Sequence, residues 1–241
     1  MTLSNVDLPQ FRYVATASEI TQYRGTVNEA EGDGQQAQFV WNGPRDHVVR
    51  VFSWGLRRDR GADSLSGEWG QMSSLARNVT KHLYNGIHTY TDYYFGLVLT
   101  NGGEFKLAGR LNPSDANKSA DASIWIRPGA AAPITIEQLG RILEARMASV
   151  QLPVAIARFR AGESTSFGKL KVGPQGILTD YGSVAWDEIE DVQTRNGVVS
   201  VKNEGKWLPW KSVPVGQVLN YVVFDALVHT ILAERSDSGR E

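Results

Sequence analysis

The chain has 241 residues, 41% hydrophobic and 21% charged, which is enough for one large β barrel or two ordinary domains and too apolar for wholesale disorder. Its 25 basic and 26 acidic side chains nearly cancel, and they do so on both sides of Gln151, 15 against 15 before it and 10 against 11 from there on. That balance excludes a large net field that would draw nucleic acid, and the absence of cysteine excludes disulfides, thiolate zinc sites and cysteine nucleophiles.

Residues 1–35 show no decisive period, and "NEAEGDGQQ" near their end reads as an exposed loop. Asp7, Pro9, Arg12 and Glu19 interrupt the apolar core a signal peptide needs. No stretch approaches the ~20 apolar residues of a membrane span. The expectation is a soluble, cytoplasmic protein with no integral membrane segment.

From Ala37, "AQFVW" and "HVVRVFSWGLRR" alternate as strands with a covered face, Val49 and Val51 against Arg50 and Phe52. "DRGADSLSG" reads as a turn, and the Asn101-Gly102-Gly103 junction between two apolar runs reads as a hairpin. Residues 112–133, rich in Ser, Ala, Asp and Pro around an isolated "IWI", read as a long surface excursion inserted in the first half.

The clearest helix follows. Thr135 and Gln138 make a capping box, Ile134 and Leu139 a hydrophobic staple, and Ile136, Leu139, Ile142, Leu143, Met147 and Val150 recur at helical spacing until Pro153. β character then resumes with "VAIARFRAG" and "TSFGKLKVGPQGILTD". A last run, Gln217 to Glu234, is apolar on nearly all sides and predicts a helix covered on two sides.

Two stretches invite superposition. Trp69, Met72 and Leu75 of "GEWGQMSSLARN" match Trp186, Ile189 and Val192 of "VAWDEIEDVQTRN" in spacing, and Asn78 matches Asn196 with one extra residue. Strands, Trp segment, strands and helix therefore occur in that order twice, which predicts a duplicated domain of ordinary size, 1–151 and then 152–241. Trp69 and Trp186 are expected in the two cores.

"FGKLKVGPQGILTDYGSVAWDEIEDVQTRNGVVSVKNEGKWLPWKSV" with the terminal helix resembles bacterial pleckstrin-homology-like domains. "TKHLYNG", "TYTDYYFGLVLTNGGEFKLAG" and "KNEGKWLPW" are similar to a bacterial family of unknown function built from two such units, over residues 65–234. The resemblance implies an α+β, mainly antiparallel fold of two barrels, each closed at one end by a C-terminal helix. In lipid-binding members, a lysine on the first strand and a basic-x-Arg pair hold head-group phosphates. The resemblance then implies that Arg58-Asp59-Arg60 supplies the pair here, while the earlier lysine is missing unless Arg50 substitutes for it.

No catalytic constellation emerges. His47, His82, His88 and His229 form no metal-ligand pair, and no nucleophile elbow or phosphate loop is present. The acids Asp187, Glu188, Glu190 and Asp191 alternate with Ile189 and Val192, as on a strand with one solvated face. The expectation is a non-enzymatic scaffold, without cofactor or metal, that binds a protein partner. Trp207 and Trp210, flanking a proline that prevents full strand pairing, are the expected contact, a second copy of the chain included. Arg57, Arg58 and Arg60, placed by "GLRRDRG" in the loop after an early strand, with Lys169 and Lys171 on one strand face, are the candidates for anionic lipid. A ligand carrier or enzyme in a single lipocalin-like barrel is the remaining alternative.

Overall fold

A computed structural model describes residues 37–44, 47–114 and 132–238. The loop expected within residues 1–35 and most of the 112–133 excursion, its Ile124-Trp125-Ile126 included, lie outside the described residues.

Four strands open the fold: β1 (Phe39–Asn42), β2 (His47–Val51), β3 (Gly55–Arg60) and β4 (Asp63–Glu68). A short 3-10 turn, Trp69–Gln71, leads into β5 (Met72–Tyr84), β6 (Ile87–Leu99) and β7 (Glu104–Leu111). The two-residue β8 (Ala132–Pro133) precedes helix α1 (Ile136–Arg160). The order then recurs, with β9 (Thr165–Phe167), β10 (Leu170–Gly173), β11 (Gly176–Thr179) and β12 (Gly182–Ala185). A second 3-10 turn, Trp186–Glu188, leads to β13 (Ile189–Arg195), β14 (Val198–Asn203) and β15 (Lys211–Pro214). Helix α2 (Tyr221–Ser238) is the last element among the described residues.

The architecture is mostly antiparallel sheet with two helices, and the expected pair of barrels does not form. Among the described residues the sheets run β4-β3-β2-β1-β8, β5-β6-β7, β12-β11-β10-β9 and β13-β14-β15, all open. Each Trp turn carries the chain out of one sheet into the next without a ladder between them, so no sheet closes on itself. The single lipocalin-like barrel fails for the same reason. Two helices cover the open sheets, α1 the first core and α2 the second.

Two apolar clusters result. The first gathers residues from Phe39 to Met147, and the second gathers Ala148, Leu152 and Ala155 with the strands and α2 that follow. The expected boundary at Gln151 therefore falls inside α1, whose first half packs on one cluster and whose second half joins the other. Trp69, Met72, Leu75, Trp186, Ile189 and Val192 are all buried.

The Trp turns share a bonding pattern. Trp69 Nε1 donates to the Ser53 carbonyl at 3.1 Å, and Trp186 Nε1 donates to the Gly173 carbonyl at 2.9 Å. Their backbone N–H groups donate to the carbonyls of Trp54 and Gln175, the residues just before Gly55 and Gly176. A Cβ on Gly55 would stand 2.1 Å from the Gly67 oxygen, and one on Gly176 would stand 1.9 Å from that of Val184, so both positions require glycine.

Three element boundaries differ from the sequence expectation. Asp63–Glu68 is strand rather than turn, paired to β3 from Arg60↔Asp63 to Gly55↔Glu68. Helix α1 runs through Pro153 to Arg160. A proline inside a helix costs about 3 kcal/mol. Burial of Leu152 and Ala155, with Ile156 and Phe159 against the same cluster, offsets that cost. Helix α2 begins at Tyr221 because Asn220, at φ 50°, turns back to strand β5. The Asn220 N–H donates to the Leu75 carbonyl at 2.8 Å, and its Oδ1 accepts from the Leu75 N–H at 2.6 Å.

One substitution sets helix propensity against packing. Gly140 sits inside α1, where alanine is intrinsically better by about 1 kcal/mol, but an added Cβ would lie 2.0 Å from the buried Phe95 ring. Gly140→Ala is expected to destabilise the protein by about 1–3 kcal/mol. Denaturant unfolding checks the sign, and a stabilised variant would mean Phe95 yields freely.

Candidate functional site

The five cations singled out in the sequence divide between two sheets and are largely neutralised. Arg57, Arg58 and Arg60 lie on β3 itself rather than in a loop, and strand alternation sets Arg57 on the opposite face from the other two. Arg57 Nε donates to Asp59 Oδ1 at 2.9 Å, Arg50 pairs with the same carboxylate, and Arg58 pairs with Asp63. Burial pushes the Asp59 carboxyl up, but hydrogen bonds from Arg57 and Ser64 and the charges of Arg57 and Arg50 hold it below its ordinary value. Lys169 Nζ lies 3.2 Å from Asp180, and Lys171 is exposed on β10. Of the two tryptophans, Trp207 is 94% exposed whereas Trp210 packs partly buried against the second cluster.

The structure presents a surface the sequence reading passed over. Strands β5 and β6 form a hairpin closed by Asn85-Gly86, at φ 49° and 77°, the backbone of a two-residue turn matched to strand twist. Asn196-Gly197, at φ 51° and 76°, closes β13–β14 in the same way. Asn196 thus corresponds to Asn85 rather than to Asn78, which lies within β5 opposite Tyr94. The difference is length, since β5 has 13 residues and β13 has 7.

That added length ends in an apolar tip. Leu83, Tyr84 and Ile87 are 64%, 71% and 71% exposed, with Tyr84 and Ile87 directly opposite each other. Asn-Gly between "HLY" and "IH" was the available signal; it marked a hairpin but not how far the tip stands from the core.

Below the tip, one face of the sheet carries a polar network. Register sets Asn78 beside Tyr94 and Ala108, and Thr80 beside Asp92 and Arg110, lining an open groove of about 530 Å³. Arg110 donates to both Asp92 oxygens, from Nε at 2.8 Å and Nη2 at 3.2 Å, and His82 Nε2 lies 3.0 Å from Asp92 Oδ2. The Arg110 guanidinium sits 3.7 Å over the Tyr90 ring, and His82 stacks on the same ring with centroids 4.3 Å apart. The Arg110 hydrogen bond, aided by the charges of Arg110 and His82, holds the Asp92 carboxyl below its ordinary value. With both carboxylate oxygens committed, the network suits recognition of polar groups by fixed charges and aromatic faces rather than proton transfer.

Among the described residues no cluster of three or more His, Asp or Glu could hold a metal ion. No helix of the described residues is long and apolar enough to cross a membrane. Residues 133–237, less than half of the chain, match a family of unknown function (DUF6585). The matched span opens just before α1 and closes within α2, so it takes in the second cluster and leaves out the long hairpin. A comparison with curated proteins found no match.

A second polar group lies where the two clusters meet. Glu144 of α1 is buried and accepts from Arg77 Nη1 of β5 at 2.8 Å, in a small crevice that Asn220 and Tyr221 also line. Gln151 Nε2 of the same helix donates to the Met72 carbonyl at 2.7 Å. Burial pushes the Glu144 carboxyl up, opposed by Arg77 and Arg141. Burial first, then the Asp225 charge, pushes the Tyr221 hydroxyl up to about 12.

A raised native pKa means that the folded state holds the Glu144 proton more tightly than the unfolded chain does. The group therefore favours folding at low pH, and that contribution is lost as pH rises through the raised value. Arg77→Met removes the partner and should cost about 2 kcal/mol at neutral pH, below the ~3–5 kcal/mol of a fully buried pair because Arg77 keeps solvent access. The loss should shrink on acidification. Urea unfolding of both proteins at neutral and mildly acidic pH tests this, and a pH-independent difference would count against it.

Proposed function

We propose that the protein is a non-enzymatic binding protein made of two copies of one folding unit, with the long β5–β6 hairpin of the first copy as its docking arm for a protein partner. One observation carries the reading. The same Asn-Gly turn closes the second hairpin at 7 residues per strand β13, so the extension of β5 to 13 is not required to complete a core. It nonetheless bears three large apolar side chains, Leu83, Tyr84 and Ile87, that are exposed among the described residues. Isolated exposed hydrophobics are ordinary, but Tyr84 and Ile87, directly opposite each other on one face of the hairpin end, with Leu83 on the other face, give the tip apolar surface on both sides that a partner would cover.

The groove supplies orientation. Arg110, Asp92 and His82 fix one another, and Tyr90 and Tyr94 lie on the same face; aromatic and arginine side chains are the types that contribute most at protein interfaces. Anionic lipid binding through Arg57, Arg58, Arg60, Lys169 and Lys171 has less support, since Arg57 and Arg58 face Asp59 and Asp63, and Lys169 faces Asp180.

The triple variant Leu83→Ser, Tyr84→Ser, Ile87→Ser separates docking from folding, because these side chains join neither apolar cluster. Its unfolding midpoint should match that of the wild type. Affinity capture with quantitative comparison should show at least one partner, or self-association seen by sedimentation, reduced about tenfold or more, the effect of losing 1.4 kcal/mol or more of interface energy. Identical capture and sedimentation for the two proteins would remove the hairpin from the function.

A further inference from the structure

A second exposed surface, distant in sequence from the hairpin, combines aromatic and cationic groups, with Asp180 beside Tyr181 paired to Lys169. Tyr181, in the turn between β11 and β12, is 87% exposed, and Trp207 and Leu208, in the loop between β14 and β15, are 94% and 72% exposed. Lys211 Nζ lies 4.5 Å over the Tyr181 ring, which brings the two loops together. Lys206 precedes Trp207 and is itself exposed. Among the described residues neither Lys206 nor Lys211 pairs with a carboxylate, whereas the nearby Lys169 and Lys202 are taken by Asp180 and Glu190. The loop's one acid, Glu204, comes before the Gly205 turn.

We propose that Tyr181, Trp207 and Leu208, flanked by Lys206 and Lys211, form a contact for an anionic phospholipid surface. Tryptophan and tyrosine favour the boundary between head groups and acyl chains, where the ring is apolar and its N–H or O–H stays wet. The two lysines supply charge opposite to that of lipid phosphate. Pro209 keeps the loop from extending the β14–β15 ladder, so the surface is a wedge rather than a strand edge that another sheet could join. Trp210, the other tryptophan of the pair, anchors the base of the wedge in the second cluster. This inference does not rest on the docking role of the hairpin.

The test is cosedimentation of the full chain with phosphatidylcholine vesicles, with and without phosphatidylserine, at low and high salt. Binding is expected to the phosphatidylserine vesicles at low salt, and to weaken as salt rises. Trp207→Ala with Leu208→Ala should abolish it. Lys206→Glu with Lys211→Glu should lower partitioning by about fivefold or more per lysine. Brominated lipid should quench part of the tryptophan emission, and that part should vanish in Trp207→Ala. The triple hairpin variant should bind vesicles as the wild type does, which separates the two surfaces, and circular dichroism confirms that each variant is folded. Failure of the wild type to bind phosphatidylserine vesicles overturns the proposal. So does equal binding by the loop variants. Self-association abolished by Trp207→Ala with Leu208→Ala, without vesicle binding, would make the wedge a protein interface instead.

Discussion

Two buried indoles hold the scaffold together. Each opens a 3-10 turn at the exit of one sheet and donates Nε1 to a backbone carbonyl beside the connection between the second and third strands of that sheet. The bond satisfies a polar atom that burial would otherwise leave without a partner, and it fixes the angle at which the chain enters the next sheet. It also explains two glycines, because Gly55 and Gly176 lie against the backbone that immediately precedes each tryptophan turn. Sheets set at this angle are not joined by hydrogen-bonded ladders, so they stay open and need a helix as cover.

Helix α1 serves both apolar clusters. Its 25 residues carry Ile136, Leu139, Leu143 and Met147 to the first and Ala148, Leu152 and Ala155 to the second. The strain of Pro153 is tolerated because the residues around it are buried in the second cluster. Polar bonds to strand β5 reinforce the seam: Gln151 and Asn220 bind its backbone, and Arg77 meets Glu144. A left-handed asparagine at Asn220 aims both its backbone and its side chain at the same strand; glycine could adopt the conformation but lacks the side chain, and an aspartate could accept from Leu75 but not donate to the Ser73 carbonyl.

The two candidate surfaces share a logic. Both lie at strand connections that reach beyond what the cores require, and both present aromatic or aliphatic side chains alongside charge. In the hairpin the charges neutralise one another in a fixed Arg110–Asp92–His82 network, which favours a shaped, polar partner. In the wedge the lysines are left over, which favours a diffuse anionic surface. Among Arg57, Arg58 and Lys169, paired carboxylates leave little charge for either kind of partner.

The sequence by itself determined which residues would be inside. Alternation marked Val49 and Val51, helical spacing with the Thr135–Gln138 box marked α1, and the repeated Trp, plus-three, plus-six pattern marked six positions that are all buried. These are local signals, set by side-chain period and capping chemistry. What tertiary structure decided were the matters that depend on distant contacts. Whether sheets close and whether a helix survives Pro153 turn on partners far along the chain. The hairpin surface belongs to this second class as well: "HLYNGIH" announces a turn but not its exposure, which is the absence of a neighbour. Pro209 in "KWLPWK" marked Trp207 and Trp210 together, and only the fold exposes the first while packing the second.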